Sequence, residues 1–195
     1  MGRRANQLER LPSQGSPKDE VAGGAVLRVD GLVAHCLRLT SADLERLPQQ
    51  DLVDDFTCLE GWTVRAVKWG GVWLETVLAA AEPAQEARYI QASAGVFSIP
   101  LPIDRAGRVL LAVRLHDNPL PIEYGGPIRL VVPDGQCFMQ IKWLDHLELR
   151  KQPGINTAEH IALRRLGAKM LAMEKCCHPF QNHAAPLRTS MSGLG

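Results

Sequence analysis

The sequence lacks most of the features that announce a function by themselves. Across 195 residues, 22 lysines and arginines face 21 aspartates and glutamates, leaving a net charge of +1. Without a basic excess, a general nucleic-acid binder is not expected. No apolar run approaches the roughly 18 residues of a membrane span. The opening MGRRANQLERLPSQG has an arginine pair with no apolar stretch behind it, so neither a Sec nor a twin-arginine leader is expected. The five cysteines, at 36, 58, 137, 176 and 177, are odd in number and form no C-x-x-C pair. That argues against a disulfide framework and against the usual structural zinc spacing. A glycine-rich phosphate loop, G-x-S-x-G, H-E-x-x-H and C-x-x-C-H are all missing, which disfavours the Rossmann, P-loop, hydrolase, zincin and haem-attachment classes. The expectation is a soluble cytoplasmic protein with one sizeable core.

What is present reads as a β-dominated α+β domain. Residues 1–24 are rich in Gln, Ser, Pro, Gly and charge and are predicted to be flexible. Val26 to Val33 alternates as a strand with a turn at Asp30-Gly31, and Ser41 is the predicted cap of a short helix stopped by Pro48. The stretch from Asp55 to Trp69 is strand-like. Leu74, Val77, Leu78 and Ala81 then mark one face of a helix ending before Pro83. Further strands are predicted at 88–92, 96–99, 109–113 and 128–132, with a longer one over 139–149. Prolines at 100, 102, 119, 121, 127 and 133 punctuate them. Asn156, with Glu159 three residues on, is a capping box for a last helix over 151–177, whose apolar stripe is Ala158, Ala162, Leu166, Met170 and Met173. A tail over 178–195 is predicted to be disordered.

Three regions offer chemistry. The first is Cys58 in Phe56-Thr57-Cys58-Leu59-Glu60-Gly61-Trp62, placed by its neighbours on an apolar strand near Trp69 and Trp73. A thiolate there is a soft metal ligand or, with a lowered pKa, a nucleophile; a buried inert thiol is the alternative. The second is Arg129, inside the apolar run that follows the Gly125-Gly126-Pro127 bend. A buried guanidinium needs a partner, so Arg129 pairs with an acid such as Glu123 or Asp145, or holds an anionic ligand. The two glycines would let a ligand approach the backbone. The third is Gln136-Cys137-Phe138-Met139-Gln140-Ile141-Lys142-Trp143. On a strand, Phe138, Gln140 and Lys142 would share one side, and Lys142 either binds a phosphate as a point charge or snorkels over Trp143.

In order and separation these motifs resemble one family. Cys58-Leu59-Glu60-Gly61-Trp62 with Trp69-Gly70-Gly71-Val72, Pro119-Leu120-Pro121, Gly125 to Pro133, and Ile141-Lys142-Trp143-Leu144 are similar to the sulfite oxidase family. More closely, they resemble the molybdopterin-binding domain shared by sulfite oxidases, plant nitrate reductases and bacterial sulfoxide-reductase catalytic subunits. The resemblance covers roughly residues 26–150. It implies a β-rich fold, a molybdenum-molybdopterin cofactor, and two-electron oxygen-atom transfer on a small sulfite- or sulfoxide-like substrate. By the same resemblance Cys58 is the metal ligand, Arg129 holds the cofactor, and Lys142 with the backbone around Gln140 cradles the pterin phosphate. Tyr124 stands where many members have His or Asn, Ser93 falls near a polar cofactor contact, and Cys137 replaces a usual glycine. A haem or other redox protein is the implied electron partner.

Two other readings stay open at this stage: a non-catalytic molybdopterin- or ligand-binding module of the same fold, and a β-rich interaction domain with a structural cysteine. His35, His116 and His146 read as surface or core-edge residues, and Cys176-Cys177-His178 with His183 as a tail without metal-site spacing.

Overall fold

The computed structural model describes residues 26–176. Its ten strands form two five-stranded sheets. The first holds β1 (Leu27–Gly31), β2 (Leu37–Leu39), β5 (Tyr89–Ala94), β6 (Phe97–Pro102) and β10 (His146–Arg150), in the order β2-β1-β10-β5-β6. Within it, β1 and β10 run parallel and the remaining pairs antiparallel. The second holds β3 (Gln50–Thr57), β4 (Thr63–Trp73), β7 (Leu110–Leu115) and β8 (Asn118–Pro119) in that order, with β9 (Arg129–Val131) also paired to β7. Three helices complete it: α1 (Ser41–Glu45), α2 (Leu74–Ala81) and α3 (Thr157–Cys176).

The period-two pattern of β1 and β10, inner strands of the first sheet, puts Leu27, Val29, Leu147 and Leu149 into the core while their neighbours are more exposed. Helix α2 buries the four residues its spacing predicts, Leu74, Val77, Leu78 and Ala81. It ends where Glu82 turns left-handed just before Pro83. These side chains join those of the first sheet in one apolar cluster. A second cluster covers the other sheet and comprises Phe56, Val64, Val67, Trp69, Leu110, Ala112, Leu115, Leu120 and Val131. Sites for polar chemistry sit at the margin of this second cluster.

Two local expectations are corrected. The cap of α1 is Thr40, one residue before Ser41: its hydroxyl accepts from Asp43 N, and the Asp43 carboxylate accepts from Thr40 N at 2.9 Å, the reciprocal box. The stretch 139–149 is not one strand. A tight 3-10 turn over Cys137–Met139 leads into a second turn at Trp143, whose φ is +55, before β10 starts at His146. Long-range hydrogen bonds override the local alternation: Leu130 N to Ile141 O and Leu144 N to Ile128 O at 2.9 Å, and Trp143 Nε1 to Ile122 O at 2.7 Å. Phe138, Gln140 and Lys142 therefore do not share a strand face.

The last helix starts as expected. Asn156 Oδ1 accepts from Glu159 N at 3.1 Å, and Asn156 Nδ2 donates to the Glu159 carboxylate at 2.9 Å. Thr157 Oγ1 ties the entrance to β6, accepting from Ser98 N at 2.8 Å and donating to Val96 O at 2.7 Å. Ala158 is buried in the first cluster. The Met170 and Met173 side chains, the segment 1–24, and Cys177 to Gly195 lie outside the described residues. Among the described residues no helix is long and apolar enough to cross a membrane.

Candidate functional site

Cys58 lies one residue past the end of β3, in the tight loop that leads into β4, not on the strand itself. Its N–H donates to Trp62 O at 2.9 Å, and Gly61, at φ +87, returns a bond to Cys58 O at 3.0 Å. A loop closed this way presents the thiol from a fixed tip. Phe56 and Trp62 pack with ring centroids 5.6 Å apart beneath it. The thiol is half-buried, and burial pushes its pKa above the ordinary value. The Glu60 backbone N–H opposes that rise, and the adjacent Cys137 thiol adds to it.

Arg129 answers the question its sequence setting poses. The side chain is 2 % exposed, yet among the described residues it forms no ion pair, with Glu123, Asp145 or any other acid. Its guanidinium lies 4.8 Å from the Trp69 ring centroid and 5.6 Å from that of Phe56, contacts that favour a cation electrostatically. One bond is made, Nη1 to the Tyr124 carbonyl at 2.7 Å. Nε has no acceptor. Desolvation lowers its pKa to about 10, so it stays charged. A buried cation held on aromatic faces with a donor unmatched is poised for an anion or a hydrogen-bond acceptor.

Lys142 is the second cation. Its ammonium donates to Glu123 O at 2.9 Å and sits 5.7 Å from the Trp143 ring centroid, so the snorkelling geometry is present. Burial, then the nearby Arg129 charge, lowers its pKa to about 8, against a smaller upward pull from Glu123. The glycine bend serves this lysine and does not offer backbone to a ligand. Gly125 and Gly126 are both buried. A Cβ on Gly125 would stand 2.8 Å from Lys142 Cγ, and one on Gly126 would run into the Leu120 carbonyl. The ligand approach expected at the two glycines is taken up by these contacts.

The opening lies elsewhere. Cys58, Arg129, Gln140 and Lys142 line one cavity of about 430 Å³, a size suited to a small ligand or cofactor. Gln140 is buried and its Oε1 has no hydrogen-bond partner. Thus four of the six residues singled out from sequence converge. The other two stand apart from this lining: Ser93 lies within β5, paired to Ser98 and His146, and Tyr124 contributes its carbonyl to Arg129 while its ring packs on the second cluster. Sequence reasoning missed the aromatic floor under Arg129, and the far wall, where Ile161, Ala162, Arg165 and Leu166 of α3 close the cavity. The α3 stripe was legible as spacing; what it faces was not.

Among the described residues no histidine lines the cavity. His146 Nε2 meets Asp30 Oδ1 at 2.7 Å and His35 lies 3.6 Å from Glu82. Among the described residues no group of three or more His, Cys, Asp or Glu side chains is placed to hold a metal ion by itself. A metal at Cys58 must therefore bring most of its ligands with it, as one carried on a dithiolene does. The orphaned Arg129 Nε and Gln140 Oε1, one donor and one acceptor on the wall that holds the thiol, fit a polar, anionic carrier of that kind.

Fold and cavity together define a β-rich domain with a cavity lined by two thiols, a buried arginine and a lysine. The chain belongs to the family described as the oxidoreductase molybdopterin binding domain, which it matches over residues 17–158. It is 32 % identical over 130 residues to the uncharacterized oxidoreductase YuiH of Bacillus subtilis, covering 65 % of each chain. It is 26 % identical over 171 residues to the protein-methionine-sulfoxide reductase catalytic subunit MsrP of Campylobacter jejuni, covering 77 % of this chain and 57 % of that one. The nitrate reductase [NADPH] of Fusarium oxysporum is 29 % identical over 117 residues, 55 % of this chain and 13 % of that one. This chain therefore matches less than two thirds of the length of each of these relatives. In fold it is similar to the sulfane dehydrogenase SoxCD of Paracoccus pantotrophus, with a TM-score of 0.61 and 24 % identity over 66 % of this chain and 39 % of that one. The β-rich sulfite-oxidase-type fold expected from sequence is the fold observed.

Proposed function

We propose that this chain is a cytoplasmic oxidoreductase that binds molybdenum-molybdopterin and transfers an oxygen atom, with two electrons, on a small sulfite- or sulfoxide-like substrate. A separate haem or other redox protein exchanges the electrons. The observation that carries the reading is the juxtaposition of the Cys58 thiol and the desolvated Arg129 guanidinium in one cavity, with Arg129 Nε lacking an acceptor. Support also comes from the family match and from relatives named as sulfoxide and nitrate reductases.

When bound, the cofactor supplies the redox change and the transferable oxygen; the chain's own residues do the rest. Cys58 gives up its proton and provides the protein's sulfur ligand, held on its loop tip by the Trp62 and Gly61 hydrogen bonds. Arg129 donates from the aromatic floor, with its remaining N–H groups directed to an anionic or carbonyl acceptor of the pterin. Lys142 would add a point charge for the phosphate, and Gln140 Oε1 would offer an acceptor to a donor of the bound group. Phe97, Ile141, Ile161 and Leu166 add an apolar stretch of wall beside the charged Glu60 and Arg165, and that stretch lowers the local dielectric and strengthens the contacts near it. The free thiols at Cys36, Cys58 and Cys137 suit a reducing compartment.

The test is metal and pterin analysis of the full chain purified from a host that makes the cofactor. Stoichiometric molybdenum in the wild type, with a Cys58→Ser variant that keeps pterin but loses oxygen-atom transfer from a model sulfoxide, is the expected result. Molybdenum at trace level only in the wild type would overturn the proposal.

A further inference from the structure

Cys137 has no part in the reading above, yet its position is informative. It begins the 3-10 turn Cys137–Met139, far in sequence from Cys58, and lines the same cavity wall. Its Sγ accepts from the N–H of Leu59, the residue after Cys58, at 3.4 Å. That contact sets the Cys137 sulfur against the backbone of the residue next to Cys58, on the wall the two thiols share. Both are free and half-exposed, whereas Cys36 is exposed and outside this cavity.

We propose that Cys58 and Cys137 form a reversible disulfide, a redox modification site that withholds the thiolate the cofactor's metal would take. Each cysteine lies in a loop or a 3-10 turn, outside the sheet ladders, so the backbone on either side can adjust toward disulfide geometry without breaking strand pairing. Holding the two sulfurs together in the folded chain makes the second step intramolecular, with the high effective concentration that implies.

The oxidant is a low-molecular-weight disulfide such as oxidised glutathione. One cysteine, as thiolate, attacks a sulfur of the oxidant, forming a mixed disulfide and releasing one thiol. The other then attacks the protein sulfur of that mixed disulfide, forming the Cys58–Cys137 bond and expelling the second thiol. Two protein thiols and one small disulfide become one protein disulfide and two small thiols, so atoms and electrons balance. Small thiols in excess reverse it.

The consequence for the site rests on the assignment of Cys58 as the protein's metal ligand. A sulfur locked in a disulfide has no thiolate to give, so the oxidised chain lacks the protein's ligand to the metal even where the pterin binds. Conversely, in a chain already loaded through Cys58 only Cys137 of the pair is left to oxidise, and this cross-link cannot form.

The experiment uses the full chain prepared in two hosts, one able and one unable to make the cofactor, each incubated with oxidised glutathione. Alkylation and tryptic mass mapping follow. The cofactor-free chain is expected to yield linked peptides carrying Cys58 and Cys137, with the loss of two hydrogens; the loaded chain is expected to yield none. Cys137→Ser and Cys137→Ala should leave Cys58 as a glutathione adduct, and Cys36→Ser should leave the cross-link intact. Absence of the linked peptides from the cofactor-free chain overturns the disulfide. Equal cross-linking of the loaded chain overturns its control of the metal site. A chain that cross-links but carries no molybdenum from the competent host overturns the function proposed above while leaving the disulfide standing.

Discussion

The Arg129 guanidinium stands over the Trp69 indole, 4.8 Å from its ring centroid, while its Nη1 donates to the Tyr124 carbonyl at 2.7 Å. Two elements of the second sheet, β4 and β9, thus hold a charge that water does not reach. An interior cation without an acid beside it contributes little to folding, because its desolvation offsets its few contacts. Arg129→Met is therefore expected to leave the stability of the cofactor-free chain within about 1 kcal/mol of wild type. Cofactor retention should fall by about tenfold or more, the worth of a charge-assisted hydrogen bond of about 1.5–3 kcal/mol. Thermal unfolding of the apo chain and pterin content of the loaded one separate the two effects. A large loss of stability with pterin retained would make the arginine a structural residue.

Lys142 gives two pH dependences of opposite sign. Its folded pKa of about 8 lies below the ordinary lysine value of 10.5. Below about 8 the side chain is protonated in both the folded and the unfolded chain, and its burial penalty is fully present. From about 8 to about 10.5 the unfolded chain holds more protons, so the lysine's contribution raises stability with pH across that window. Anion binding runs the other way and weakens as pH rises through about 8. Sulfate, a dianion throughout this range, is a suitable probe by calorimetry, and Lys142→Met should flatten the stability rise and the affinity fall together.

Gly125 is expected to tolerate no side chain. Its φ of +104 is outside the comfortable range of an L residue, and a Cβ would stand 2.8 Å from Lys142 Cγ. Gly125→Ala should cost about 1–3 kcal/mol from backbone strain and crowding. Urea denaturation checks this as a lower midpoint at unchanged slope.

Asn156→Ala removes both halves of the box that starts α3. A loss of about 1 kcal/mol is expected, concentrated locally. Faster amide exchange at Ala158 and Glu159, with the β5–β6 pairing unaffected, would mark it as a cap and not a core contact.

The parts of the structure governed by local rules were readable in the chain. Helix α2 follows from the spacing of Leu74, Val77, Leu78 and Ala81, and the start of α3 from Asn156 and Glu159. Cys58, Arg129, Gln140 and Lys142 were marked by residue type and by family likeness, and they share one cavity. What failed was non-local. Alternation over 139–149 suggested one strand, but hydrogen bonds from 141–144 back to β9 and Gly125 bend it into a turn. The glycine bend looked like a ligand approach, while in the fold Lys142 and the Leu120 carbonyl occupy that space. Nor could the chain announce that Cys137 would meet Cys58, or that Trp69 and Phe56 would floor the arginine, since neither contact has a sequence-local signature.

The family match ends at residue 158, just inside α3, yet Ile161, Ala162, Arg165 and Leu166 beyond it form one side of the chamber. Its dimensions are thereby set partly by a segment beyond the matched domain. Exchanging a methyl-sized Ala162 for a bulkier neighbour would narrow the room without disturbing thiol, arginine or lysine. Relatives could diverge in what they admit by editing one helical turn, leaving the redox apparatus untouched.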